Sequence, residues 1–284
     1  MIRVRNLEYT YAGADQQALR GIDFAADSGE VFGFLGPSGA GKSTTQKVLV
    51  GLLDDYGGEV KLFDREVSDW GRDLYRRIGV SAETPNHYRK LTGRENLTLF
   101  ASLHGGAVRD PEPLLERVGL ADAVDRRVGT YSKGMQMRLN LVRALLHDPE
   151  LVFLDEPTTG IDPGTARSVK QLIADLRDGG TTVFLTTHDM TVADELCDRV
   201  GFIVDGELPV VDTPRALKLA HGEATVRVEF RTDSALQSRT FPLSTLGTDE
   251  AFTTLLSRGQ VETIHTDEAT LEDVFIAVTG KVLR

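Results

Sequence analysis

The spacing of apolar and polar positions changes along this chain, and the changes mark its elements. Period-two alternation or short unbroken apolar runs predict strands around Ile2, Val4 and Leu7, over residues 22–25, 30–35, 60–63, 77–81, 151–154 and 182–187. Residues 87–147 carry helical spacing instead. Thr92 and Glu95 form a capping box for a helix holding Leu97, Leu99, Phe100 and Leu103, with Gly105-Gly106 as its stop. Asp110-Pro111 opens a second helix that ends near Gly119, and Ser132 caps a longer one holding Met137, Leu141 and Leu145. Asp162-Pro163 starts a further helix, which Gly179-Gly180 ends. Beyond about residue 215 the pattern changes to strands near 224–230 and 261–265 and a last helix capped by Thr270 and Asp273. The expected fold is α/β: a mostly parallel sheet flanked by helices, antiparallel strands at the N-terminus, and an inserted helical subdomain at about 87–147. The expected domains are 1–215 and a small α+β appendix over 216–284.

The densest chemical signal is Gly36-Pro37-Ser38-Gly39-Ala40-Gly41-Lys42-Ser43-Thr44. It follows the strand at 30–35 and opens a helix that Gly51 ends, which is the context a phosphate-binding loop requires. Glycines let successive N–H groups face one anion, and the helix start adds its positive dipole end. Lys42 is placed to reach terminal phosphates, and Ser43 to offer a hydroxyl to Mg²⁺. The core is therefore read as that of a phosphate-loop NTPase.

Leu151–Leu154 runs directly into Asp155-Glu156, and an unbroken apolar run suits a strand buried on both faces of a parallel sheet. Ligands gather at the carboxyl end of such strands. Asp155 is expected to bind Mg²⁺ directly or through water, and Glu156 to orient or deprotonate the attacking water. Solvated turn carboxylates are the weaker alternative. His188 follows the strand at 182–187 on the same edge, in reach of a terminal phosphate, whereas His87 and His147 are read as structural. Tyr9 and Tyr11 precede the loop; one of them either stacks on adenine or packs a strand face.

Composition narrows the setting. The chain has 284 residues, a net charge of -11 and 40% hydrophobic residues, which argues against a broad nucleic-acid surface and for a globular protein. A single cysteine, Cys197, excludes an intrachain disulfide and is read as a small core residue in a helical stretch. No run approaches the ~20 apolar residues that cross a bilayer, and Met1–Arg5 lacks a secretory core, so a cytoplasmic protein is expected.

Taken together, these residues resemble the ATP-binding subunit of an ABC transporter over roughly the first three-quarters of the chain. Gly36–Ser43 matches Walker A, Leu151–Glu156 matches Walker B with its catalytic glutamate, Thr159–Asp162 matches the D-loop and His188 the switch histidine. Tyr11 aligns with the adenine-stacking aromatic. Tyr131-Ser132-Lys133-Gly134-Met135 stands in place of the signature Leu-Ser-Gly-Gly-Gln and keeps the serine and second glycine, which contact the partner subunit's γ-phosphate. Glu83 takes the place of the usual loop glutamine, keeping a ligating oxygen for Mg²⁺ and adding charge. Both variants, like the C-terminal ending, resemble the exporter branch with antibiotic-resistance and sodium-extrusion ATPases.

The resemblance implies ATP and Mg²⁺ as ligands and a head-to-tail dimer, with itself or a close paralogue, in which Asp162 joins Ser132 and Gly134 at the nucleotide. It also implies separate integral membrane permease chains as partners, driven from the cytoplasmic side of the membrane, with no nucleic acid. An alternative is a soluble ABC-type ATPase acting on nucleic acid or ribosomes; the single cassette, the lack of a long coiled-coil insertion and the acidic charge oppose it. A scaffolding subunit with little turnover is opposed by the intact Glu156 and His188. The C-terminal appendix is read as a packing or dimer-stabilising extension.

Overall fold

The computed structural model describes residues 1–104, 108–222, 224–232, 235–257 and 261–281. The expected helix stop at Gly105-Gly106 lies outside them. The chain divides into two compact units, the first running from Met1 to Val211 and the second from Asp212 onward, ahead of the boundary at 215.

The first unit opens with β1 (Ile2–Tyr9), β2 (Leu19–Ala26) and β3 (Val31–Leu35), then α1 (Lys42–Leu49), β4 (Gly57–Leu62), β5 (Arg65–Glu66), α2 (Leu74–Arg77) and β6 (Ile78–Ser81). The helical block follows as α3 (Gly93–His104), α4 (Glu112–Arg117) and α5 (Lys133–Leu145). The core resumes with β7 (Leu151–Asp155), α6 (Pro163–Asp178), β8 (Thr182–Thr187), α7 (Met190–Leu196), β9 (Arg199–Val204) and β10 (Glu207–Asp212). Local chemistry sets several of these boundaries. Thr92 and Glu95 complete their reciprocal cap, the Ser132 hydroxyl accepts from Met135 N–H, and the Asp162 carboxylate accepts from Thr165 N–H.

The main sheet runs β10-β9-β3-β8-β7-β6, with parallel pairing from β9 through to β6. Every residue of β3, β7 and β8 is buried, as their continuous apolar sequences require. A four-stranded sheet, β2-β1-β4-β5, packs its inner face on the first and shares its core. Phe184 lies at the centre, its ring centroid 5.5–6.0 Å from those of Phe24, Phe32, Phe34 and Phe153. The strands β9 and β10 had no assignment from the sequence, whereas the helical stretch read before Cys197 is α7. Cys197 directly follows α7, buried, and burial pushes its thiol well above the ordinary range.

The second unit holds α8 (Pro214–His221), β11 (Thr225–Thr232), β12 (Ala235–Pro242), α9 (Glu250–Ser257), β13 (Val261–Asp267) and α10 (Leu271–Thr279). Its antiparallel sheet, β12-β11-β13, buries Val226, Val228 and Phe241 against Phe252 and Leu255. Thr270 and Asp273 form the expected capping box of α10.

Phe184→Ala is expected to destabilise the protein by about 3–5 kcal/mol, because four rings would line the hole it leaves. Denaturant unfolding measures this, and a loss under about 1 kcal/mol would contradict a shared aromatic core.

Candidate active site

Parallel pairing brings the carboxyl ends of four strands to one edge. Leu35 pairs with Thr187, Thr186 with Asp155, and Leu154 with Ser81, so the segments that leave β3, β8, β7 and β6 emerge side by side. They enclose a cleft of about 240 Å³. Pro37, Ser38, Gly39, Gly41, Lys42, Ser43 and Thr44 line one side, and Glu83, Asp155, Glu156, Thr159 and His188 line the rest.

Gly41, the residue before α1, has φ +117°, a conformation that a side chain would strain. The Lys42 ammonium donates to the carbonyls of Gly36 and Pro37. Burial lowers its pKa, opposed by the charges of Glu156, Asp155 and Glu83. Tyr11 and Thr44 share a 3.1 Å hydrogen bond between hydroxyls, and the Tyr9 ring meets Tyr11 edge-on at 5.0 Å. Tyr11 therefore stands at the start of α1, while Tyr9 packs against the core.

Glu156 takes φ +50°, unusual outside glycine, and its carboxylate is nonetheless buried and held by four donors. Thr159 Oγ1 and Thr187 Oγ1 donate to one oxygen at 3.0 and 3.1 Å. The backbone N–H of His188 and its ring Nδ1 donate to the other at 3.0 and 2.6 Å. His188, expected at the terminal phosphate, is thus fixed first to Glu156. Asp155 accepts from Thr186 Oγ1 and from the backbone N–H of Glu83. Burial raises its pKa, and the nearby Glu83 and Glu156 act in the same direction.

Ser132, Gly134 and Asp162 do not line this cleft. Ser132 caps α5 and Asp162 caps α6. A Cβ on Gly134 would lie 3.0 Å from Ile161 Cγ2 and 3.1 Å from Gly160 O, so the signature-like segment packs directly on the turn at 159–162. Gly36 and Ala40 support the loop from behind, Gly36 against the Ile203 carbonyl and Ala40 within the core. Sequence reading gave no bonding role to Thr159, Thr186 and Thr187. Their signal was weak: hydroxyls at strand ends and in a turn, each next to a carboxylate only after folding. Among the described residues no three His, Cys, Asp or Glu side chains form a ready-made metal centre.

A family model described as ABC transporter matches residues 19–159. Over all 284 residues the chain is 56% identical to a fluoroquinolones export ATP-binding protein of Mycobacterium tuberculosis, covering 94% of that protein. This chain belongs to the ATP-binding subunits of ABC transporters. A second model, described as a fluoroquinolone efflux ABC transporter C-terminal domain, matches residues 224–268 of the subunit. The daunorubicin/doxorubicin resistance ATP-binding protein DrrA of Streptomyces peucetius is 38% identical, over 80% of this chain and 69% of that one. A solved ATP-binding cassette, dimeric and post-hydrolysis with ADP and Pi, superposes with TM-score 0.68 at 29% identity, over 75% of this chain and 98% of that one. The subunit is an ATP hydrolase of the export branch. Among its described residues no helix is long and apolar enough to cross a membrane.

Asp155 yields a prediction with a definite sign. Its carboxyl titrates above the ordinary 3.8 in the folded state, so the folded protein holds a proton that the unfolded chain has released, and stability falls as pH rises through that window. Asp155→Asn is therefore expected to melt above the parent in nucleotide-free protein at about pH 7.5, with the difference closing toward about pH 4. A variant that melts lower at the higher pH would overturn this account.

Proposed function

We propose that the subunit is the motor of an exporter of amphiphilic antibiotics, with two copies, or this chain and a close paralogue, closing head to tail over two ATP. Separate membrane-spanning chains, met at the cytoplasmic face, would carry the substrate. The observation that carries this reading is the division of the motifs. The phosphate loop, Asp155, Glu156 and His188 share one cleft, while Ser132, Gly134 and Asp162 lie outside it. A second copy brings the missing contacts. The export substrate class is supported by the relatives, whose names specify fluoroquinolones, daunorubicin and doxorubicin.

In this mechanism the backbone N–H groups of residues 37–44 and the Lys42 ammonium hold the phosphates, and Tyr11 stacks on the base. The donor set suits Mg²⁺, which takes one or two carboxylates, a hydroxyl and the substrate's own phosphates rather than a closed protein cage. Ser43, Asp155 and Glu83 would hold it, and when bound it neutralises phosphate charge. Glu156 is the general base, aimed at a water by its four hydrogen bonds, and His188 keeps that carboxylate in place beside the terminal phosphate.

Residues 83–100 pass the motion outward. Leu52, Tyr75 and Leu103 are 65%, 39% and 72% exposed and are proposed as apolar contacts for a membrane chain. The Tyr75 hydroxyl donates to Val50 O, and His104 bonds to the Tyr75 backbone, so the segments that carry these residues are joined. The unit from Asp212 onward is proposed as a packing or dimer-stabilising extension.

Glu156→Gln is expected to keep ATP affinity and lose turnover by about a hundredfold or more, the amount a general base contributes. Phosphate release by the complete transporter measures it, and near-normal rates would remove Glu156 from that role. The same variant, purified with ATP from detergent-solubilised native membranes, should bring down a polytopic membrane protein in stoichiometric amount. Leu103→Asp should abolish that capture with ATP binding intact. Ribosomes or DNA as the captured partner would sink the export reading.

A further inference from the structure

The segment carrying Glu83 is tied at several points to one face of α5. Gln136, Asn140 and Arg143 follow one another at intervals of four and three residues, which places them on the same side of the helix. The Gln136 carbonyl accepts from His87 Nε2 at 3.0 Å. Asn140 Nδ2 donates to Ser81 Oγ at 3.1 Å and to the Ala82 carbonyl at 3.0 Å. Arg143 Nη1 donates to the Asn86 carbonyl at 3.2 Å, and its guanidinium lies 4.2 Å from the centre of the Phe100 ring on α3. Glu83 is thus bracketed, with Ala82 held on one side and Asn86 and His87 on the other.

These holdfasts are costly as stability devices. Asn140 is completely buried, and its side-chain oxygen has no partner. Arg143 has no ion pair among the described residues, and burial pulls its pKa down to about 10. Its cation also pushes the His87 pKa down, although burial of that ring, which brings it to about 4, is the larger cause. An apolar side chain at 143 would fill the space without an unpaired charge. A requirement other than folding keeps these polar groups where they are.

We infer that Asn140 and Arg143 are positioning residues that clamp residues 81–87 on α5 and so hold the Glu83 carboxylate beside Asp155 at the metal site. The inference rests on the reading of Glu83 as a metal-facing group. It also gives α5 two tasks, since the helix starts at the signature-like Ser132 and Gly134.

The test uses Mn²⁺ as the probe, titrated by electron paramagnetic resonance into the full chain with a non-hydrolysable ATP analogue. Arg143→Met is expected to weaken Mn²⁺ binding by about tenfold, the lower end of what loss of a ligand's supporting partner causes. In a Glu83→Ala background the same substitution should change affinity by less than about twofold, because the group it positions is gone. An equal loss in both backgrounds, or no loss in the parent, overturns the positioning role. If Glu83→Ala alone leaves Mn²⁺ affinity unchanged, the metal-facing reading of Glu83 is what fails. Arg143→Lys serves where Arg143→Met does not fold. One ammonium cannot both cover Phe100 and reach Asn86, so a smaller loss of the same kind is expected, again absent without Glu83. A purely structural role would lower the melting temperature and leave metal affinity untouched.

Discussion

Three carboxylates and one ammonium meet at the end of a sheet whose central strands are wholly buried, and this crowding governs the rest of the catalytic unit. Asp155 is destabilised as an anion by burial and by Glu83 and Glu156, and Lys42 is desolvated beside them. Such an arrangement costs folding stability in the free protein. Polyphosphate and the proposed divalent cation would offset that cost, because their charges complement the site. The strands must be parallel for this to occur, because only then do four carboxyl ends reach one edge. Their burial on both faces in turn demands the second sheet and the helices that cover them.

Within that edge the carboxylates are treated differently. Glu156 is saturated by two threonine hydroxyls, a backbone N–H and a histidine ring, and its left-handed backbone turns it into the cleft. Asp155 has two donors, one of them the N–H of Glu83, so the loop that carries Glu83 is tied directly to the end of β7. Fixed direction suits a base, which must meet one water at one angle. Open lone pairs suit a group meant to bind a cation or its water.

The parts of this design legible in the sequence are those with a local cause. The phosphate loop, the caps at Thr92, Ser132, Asp162 and Thr270, and the buried strands before Asp155 and His188 are written in adjacent residues, and each stands where its pattern placed it. Donors that come from across the fold were not legible. Thr187 reaches Glu156 from the neighbouring strand, and Arg143 reaches Asn86 from the next layer; no spacing rule joins either pair. The edge strand β12 was missed for another reason: it is exposed along nearly its whole length, so no alternation of buried positions marks it. The two strands after α7, β9 and β10, gave no separate signal.

The packing of Gly134 against Gly160 and Ile161 adds a mechanical consequence. A side chain at 134 would crowd the Ile161 side chain and the Gly160 carbonyl, so the start of α5 and the turn after Glu156 are closely packed. That turn also contains Thr159, which donates to the Glu156 carboxylate. A ligand pressing on Ser132 and Gly134 from a second copy would therefore bear on the base of this copy within a few residues, and along α5 on the segment that holds Glu83. In the proposed dimer two sites built this way would not be independent, because each copy's signature segment rests on the support of its own base. Coupling between the two nucleotides of that dimer would then need no long pathway, since the contacts that carry it lie inside one chain.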